Sequence, residues 1–301
     1  MKSSAESMIS GLQELGFVFT STQQITEGEY LSSDVEWNYN DLPHLCEVHD
    51  LAERVEGVIA EDYAASILVQ KVGPFELPMS LFNYAISRSE NFYFTSFGPY
   101  VLLVQTKWTT KDQTTKVVTT YFLGSKKILK ISHKLVHSLL AKNYRNLMKD
   151  DIPMRSRRGS LRFRGYTFTG DSSGNGFLEL FNLAKCGVVA PTDLNSFTWE
   201  CLISAVEQGT TLAGSNDNSG VRLQREDDLL TVFPRICMHA GASLDLAKID
   251  GSCIKCPWHG RLIKPIFTVN LADDTKIYES KGLRVEVKNS MLFVSGLFNS
   301  E

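Results

Sequence analysis

Apolar and polar positions change period as the chain advances. Gly57-Val-Ile-Ala and Ala64-Ala-Ser-Ile-Leu-Val-Gln-Lys-Val are short β-rich runs, and residues 100–108 stand against residues 116–123 across a Lys-Asp-Gln-Thr turn. That is the pattern of an antiparallel hairpin. From residue 125 to 149 the spacing becomes three and four. Ile128, Ile131, Leu135 and Leu139 form one row, and His133, His137, Leu140, Tyr144 and Leu147 another. This predicts a long helix, ended by Pro153. An Arg-rich, strand-like segment at 160–168 precedes Thr169-Gly-Asp-Ser-Ser-Gly-Asn-Gly176, a polar stretch of the kind that separates domains. Beyond it, strands such as 229–233, 283–287 and 291–294 recur between turns. The expectation is an α+β chain: an antiparallel sheet with a long helix in residues 1–170, then an all-β domain in residues 177–301.

Composition supports two ordinary cores and excludes disorder, with 43% hydrophobic and 22% charged residues in 301. The net charge of −3 leaves no electrostatic footprint for holding nucleic acid or anionic lipid, and no polyanion partner is expected. The first residues hold no apolar signal region, and no window approaches the roughly 18 apolar residues of a membrane span. A soluble, cytoplasmic protein is expected. Six cysteines are too few for a disulfide scaffold, but Cys237, Cys253 and Cys256 crowd together and His239 and His259 interleave with them.

The motif is Cys237-Met-His239 followed later by Cys256-Pro-Trp-His259. Each loop carries one thiolate and one imidazole, which suits a cluster with two thiolates on one iron and two imidazoles on the other. Gly241 and Gly260 stand just behind the loops, where the backbone must turn tightly. Two Cys and two His can also hold zinc, although zinc sites usually segregate the two ligand types. Cys253-Ile-Lys-Cys256 could serve as a redox pair, provided that Cys256 were free. The motif resembles the Rieske [2Fe-2S] signature. Where respiratory-complex members of that family have two further cysteines, this chain has Ala242 and Trp258. The resemblance is therefore to the oxygenase or ferredoxin branch, with Cys253 as a spare thiol.

A second pattern, Asp41-Leu-Pro-His44-Leu-Cys-Glu-Val-His49, offers two imidazoles that can meet one metal. Two His and one carboxylate form the facial triad of non-haem Fe(II) proteins that activate O₂. Together the motifs resemble Rieske-type non-haem iron oxygenases. That resemblance implies His44 and His49 as iron ligands, Asp41 as the carboxylate linking the iron to the cluster, and O₂ as co-substrate. It also implies a third ligand on a later helix. Asp151-Ile-Pro resembles the carboxylate segment of the sterol-ring hydroxylase branch, and Asp151 falls on the helical stripe of Leu147, Tyr144, Leu140, His137 and His133. Asp150 is the alternative.

His133 and His137, with lysines around them and no carboxylate at a fitting spacing, are taken as pocket-lining or surface residues. The aromatic run 92–97 is either a pocket wall or core packing. The family places the Rieske domain first; here the order is reversed, and the short catalytic part resembles a helix-grip (START-like) fold. The resemblance further implies a trimer in which one subunit's cluster serves its neighbour's iron, and oxidation of an apolar or cyclic substrate by mono- or dioxygenation. No G-x-G-x-x-G fingerprint is present, so electrons would come from an external ferredoxin or flavin reductase. The rival expectation is a non-catalytic ligand-binding helix-grip domain fused to a Rieske electron carrier.

Overall fold

A computed structural model describes residues 4–41, 44–49, 54–59, 63–72, 75–169, 187–189, 196–216, 219–273, 275–280 and 282–297. The expected linker lies outside them from residue 170 onward. Two compact units emerge, one reaching to Ser160 and the other containing Leu161–Thr169 and the residues from 187 on.

The first unit opens with helix α1 (Ser4–Glu14), strand β1 (Phe17–Glu29), helix α2 (Ser32–Asn40) and a single turn α3 (His44–Glu47). Strands β2 (Arg54–Ile59), β3 (Tyr63–Val72), β4 (Phe75–Ser87), β5 (Glu90–Phe97), β6 (Tyr100–Lys111) and β7 (Thr114–Lys126) follow. They form a seven-stranded sheet in the order β1-β7-β6-β5-β4-β3-β2. All its neighbours pair antiparallel. The expected hairpin is β6–β7. Its two turn residues, Asp112 and Gln113, have φ of 49° and 69°, as a type I′ turn requires to match strand twist.

Alternation along the strands gives the sheet two apolar faces. Leu102, Val104 and Tyr121 pack against Tyr144 and Met148 of the long helix α4 (His133–Phe163), joined by Tyr93, Leu140 and Leu147. Leu103 and Phe92, with Phe19, Phe94 and Phe122, pack instead against Ala5 and Ile9 of α1. The result is a helix-grip arrangement with α4 on one face and α1 on the other.

Three sequence expectations change here. The helix begins with a 3₁₀ segment at Lys127–Ser132, and α4 does not stop at Pro153 but continues to Phe163. Tertiary contacts carry it past the proline. Met154, Arg155, Arg158 and Leu161 are all buried, and Gly159 lies so close to β1 that an added Cβ would stand 2.7 Å from the Glu29 carbonyl. The strand expected over 160–168 is therefore helical at its start, and only β8 (Thr167–Phe168) is extended there, paired with β9 (Val188–Val189). Of the two helical rows, Ile128, Ile131, Leu135 and Leu139 face solvent, while His133, Tyr144 and Leu147 face the sheet.

Among its described residues, the second unit is β apart from the last turn of α4, a 3₁₀ turn at Ile203–Ala205 and connecting turns. Strands β10 (Ser196–Leu202), β11 (Gly209–Asn216), β12 (Ser219–Glu226) and β13 (Leu229–Pro234) precede a small sheet of β14 (Ile249–Asp250), β15 (Cys253–Lys255) and β16 (Leu262–Ile263). Strands β17 (Phe267–Asn270), β18 (Lys276–Ser280), β19 (Leu283–Lys288) and β20 (Met291–Leu297) complete it. Sheets β10-β20-β19-β18 and β11-β12-β13-β17 enclose a core including Leu223, Leu230, Val232, Val285 and Val294. The small sheet and the loop after β13 present the Cys and His motif.

Candidate metal centres

In the second unit each motif loop folds back on itself. Gly241 N–H donates to the Cys237 carbonyl at 2.9 Å and Gly260 N–H to the Cys256 carbonyl at 3.0 Å. Both glycines have positive φ, 92° and 62°, the left-handed turn that a side chain would disfavour. The four motif residues meet as two pairs. Cys237 and Cys256 hydrogen-bond through sulfur, while His239 Nδ1 lies 3.2 Å from His259 Nδ1. Cys256 holds the Cys237 thiol down at about 6 against the effect of burial, with backbone N–H groups of His239 and Ala240 assisting. Cys256 is pushed up in turn. Thiols on one side and imidazoles on the other suit one iron for each pair. A tetrahedral zinc would need all four atoms around one point.

Residues that sequence reasoning missed clamp the first loop. Buried Arg235 makes a bidentate pair with Asp245, at 2.9 and 2.8 Å. Arg222 Nη1 donates to the Leu244 and Ala247 carbonyls, both at 2.7 Å. An arginine and an aspartate flanking the first ligand loop were the available signal. Cys253 lies on β15, which leads into the second loop, and is a free thiol. Ala242 and Trp258 are buried beside the ligands.

In the first unit, α3 and the residues after it bring His44 and His49 to Asp151 of α4. These three are buried, with ligand atoms all within 4.8 Å of one another, the one such group among the described residues. His49 Nε2 is 3.0 Å and His44 Nε2 3.4 Å from Asp151 Oδ1. The His44 Nδ1–H donates to the Asp41 carbonyl, which leaves the Nε2 lone pair directed inward. That buried Nε2 has no hydrogen-bond partner. Asp150 lies on the other side of the His49 ring, its Oδ2 3.3 Å from Nδ1. Burial raises the Asp151 pKa, but the two imidazoles and Arg155 outweigh it and hold the carboxyl far below the carboxylate range. Burial lowers His49, and the two aspartates more than restore it. An inward lone pair, a second imidazole and a carboxylate form a donor set that fits a divalent transition metal.

Two further residues hold Asp151, and sequence reasoning overlooked both. Asn38 Nδ2 donates to Asp151 Oδ1 at 3.3 Å, and Arg155 Nε donates to Asn38 Oδ1 at 2.7 Å. Asn38 lies just upstream of Asp41, and Arg155 is one helical turn after Asp151. Asp41 is buried, with Oδ2 3.8 Å from His44 Nδ1. His133 and His137 are held by Thr20 Oγ1, 2.8 Å from a nitrogen of each. Of the aromatic run, Phe92 is core, whereas Phe94 helps to line a hollow of about 480 Å³ beside α1, along with Met8, Leu12 and Phe82.

Residues 197–266 match the family model of the Rieske [2Fe-2S] domain. The chain is thus an α+β protein with a helix-grip unit ahead of a C-terminal Rieske domain. No curated protein matches it. Among solved structures, TTHA0849 from Thermus thermophilus is 17% identical over 44% of this chain and 95% of its own, with a TM-score of 0.38. Zhui aromatase/cyclase from Streptomyces sp. R1128 is 12% identical over 47% and 96%, with a TM-score of 0.40. Norcoclaurine synthase from Thalictrum flavum is 13% identical over 42% and 81%, with a TM-score of 0.35. No helix among the described residues is long and apolar enough to cross a membrane.

Proposed function

We propose that this protein is a Rieske non-haem iron oxygenase that oxidises an organic ring compound with electrons from an external ferredoxin or flavin reductase. One observation carries the reading: His44, His49 and Asp151 converge as a buried donor group in a chain that also has a Rieske domain. Cys237, His239, Cys256 and His259 would hold the [2Fe-2S] cluster, and His44, His49 and Asp151 an Fe(II). The cluster would supply single electrons, and the Fe(II), with positions left open, would supply O₂ activation.

The chain's own residues do the rest. Asp150 fixes the tautomer of His49 by accepting from Nδ1, leaving Nε2 for the metal. The Asp41 carbonyl does the same for His44. Asn38 and Arg155 keep the Asp151 carboxylate ionised and oriented. On the resemblance, Asp41 would link the iron to a cluster histidine. The grip near Asp151 contains buried Tyr121 and Tyr144 and partly buried Tyr93, and burial raises the pKa of all three phenols. Aromatic rings and hydroxyls of this kind would give a cyclic substrate apolar surface and a few polar points.

The test is His44→Ala in protein prepared anaerobically. Loss of product formation and of the one iron beyond the cluster's two, with the Rieske visible and EPR spectra intact, is the expected result. Turnover that survives, or wild-type protein holding only the cluster's iron, would return the first unit to a ligand-binding role.

A further inference from the structure

The solvent-facing side of the 3₁₀ segment and early α4 is not accounted for by iron chemistry. Ile128 is 85% exposed, Ile131 92%, Leu135 64% and Leu139 58%. With helical rises of about 2.0 and 1.5 Å per residue, they make one ridge roughly 20 Å long. Single exposed apolar residues need no explanation, but a continuous aliphatic ridge does. Its flanks are basic: Lys127, Lys130, Lys134, Lys142, Arg145 and Lys149 are exposed or half-buried, and no acidic residue occurs from 125 to 149.

We infer that this ridge is a docking surface for an anionic membrane, with the four aliphatic side chains entering the headgroup–acyl boundary and the lysines meeting lipid phosphates and carboxylates. An aliphatic face with Lys and Arg beside it is the composition of a helix lying in the interface plane. Protein interfaces instead favour Trp, Tyr and Phe at their centres and are depleted in Lys; this ridge contains no aromatic residue and is rimmed by lysine. A second copy of the chain would place two basic arrays face to face. Lysine stems also extend over apolar surface while their heads stay in the polar layer. Such a surface would hold the protein where apolar ring compounds concentrate.

Sedimentation of the full-length, cluster-loaded protein with vesicles of phosphatidylcholine, with and without phosphatidylserine, tests this. Partition onto the phosphatidylserine vesicles should be strong at low salt and weaken as salt rises. The variant Lys127→Gln/Lys130→Gln/Lys134→Gln should lose roughly a hundredfold in partition, about fivefold per residue. Ile131→Asn/Leu135→Asn should also weaken binding, and at every salt concentration. All of these positions are exposed, so circular dichroism and the cluster spectrum should match wild type. Equal binding to the two vesicle types, or variants that bind like wild type, would overturn the inference. So would an absence of vesicle binding in which the same variants instead dissociate a homo-oligomer or slow reduction by an acidic ferredoxin, since either would make the ridge a protein contact.

Discussion

At the scale of single residues, the ligand atoms are only half of each centre. Asn38 bridges Asp151 and Arg155, and the charge of the completely buried Arg155 is favoured by Tyr39, Asp151 and Tyr30 around it. Replacing Asn38 with leucine removes both hydrogen bonds and leaves the guanidinium Nε unsatisfied, at a cost of about 1–3 kcal/mol. Under the proposed function, affinity of the His44 site for iron should fall by about 10- to 100-fold, as for other outer-shell losses, with the Rieske spectrum unchanged. Iron titration and thermal denaturation measure the two effects. Adding Arg155→Met to Asn38→Leu should recover part of the stability, because the orphaned charge is gone, but none of the iron affinity. The Cys-x-His and Cys-x-x-His loops were legible in the sequence because ligand spacing within a loop is local. The Asp-Ile-Pro resemblance pointed to Asp151 and helical phase agreed with it; in the fold Asp151 Oδ1 faces the Nε2 atoms of His44 and His49, and Asp150 meets His49 Nδ1. Asn38 and Arg155 were not legible: what defines their role is a contact between α2 and α4, and no periodicity encodes that pairing.

Among the elements, the hairpin and the long helix follow from their patterns, while the helix boundary does not. Pro153 is a strong local stop, yet buried Arg158 pairs with Asp34 of α2 at 3.3 Å and stacks over Trp37 at 4.2 Å. Contacts of this kind outweigh the loss of one backbone hydrogen bond. The seam between β1 and α4 carries a testable pH dependence. Thr20 joins His133 and His137, and Ser125 Oγ lies 2.7 Å from His133 Nε2. Burial lowers the pKa of both histidines, with Lys130 adding to it for His133 and His133 for His137. A folded-state pKa below the unfolded value near 6.5 means that the unfolded chain takes up protons the folded one refuses. This seam's stability is therefore present above about pH 6.5 and lost as pH falls below it. His133→Gln should flatten the fall in melting temperature between neutral and mildly acid pH, even if it lowers the neutral-pH value through lost hydrogen bonds. A slope equal to that of wild type would show that folding does not depress the His133 pKa.

For the whole molecule, averages conceal what local order reveals. A net charge of −3 argued against any anionic surface as partner, yet the basic residues of 125–149 lie on one helical segment without acidic neighbours. The order of the two units raises the corresponding question for electron flow. Under the proposed function, the resemblance implies transfer from one subunit's cluster to a neighbouring subunit's iron, and chain order alone does not decide which cluster would serve which Asp41. If the assembly keeps this arrangement, two individually inactive variants should rescue each other. His44→Ala retains a cluster but has a damaged iron site; His259→Ala retains the iron site but has a damaged cluster. Mixed after dissociation and reassembly, or co-expressed, they would form oligomers in which an intact cluster faces an intact iron site across a subunit boundary. A fraction of wild-type turnover should return, growing with the proportion of mixed oligomers and absent when the two are combined without subunit exchange. Transfer within one chain predicts no recovery at any ratio, since each chain would then lack one of its own two centres.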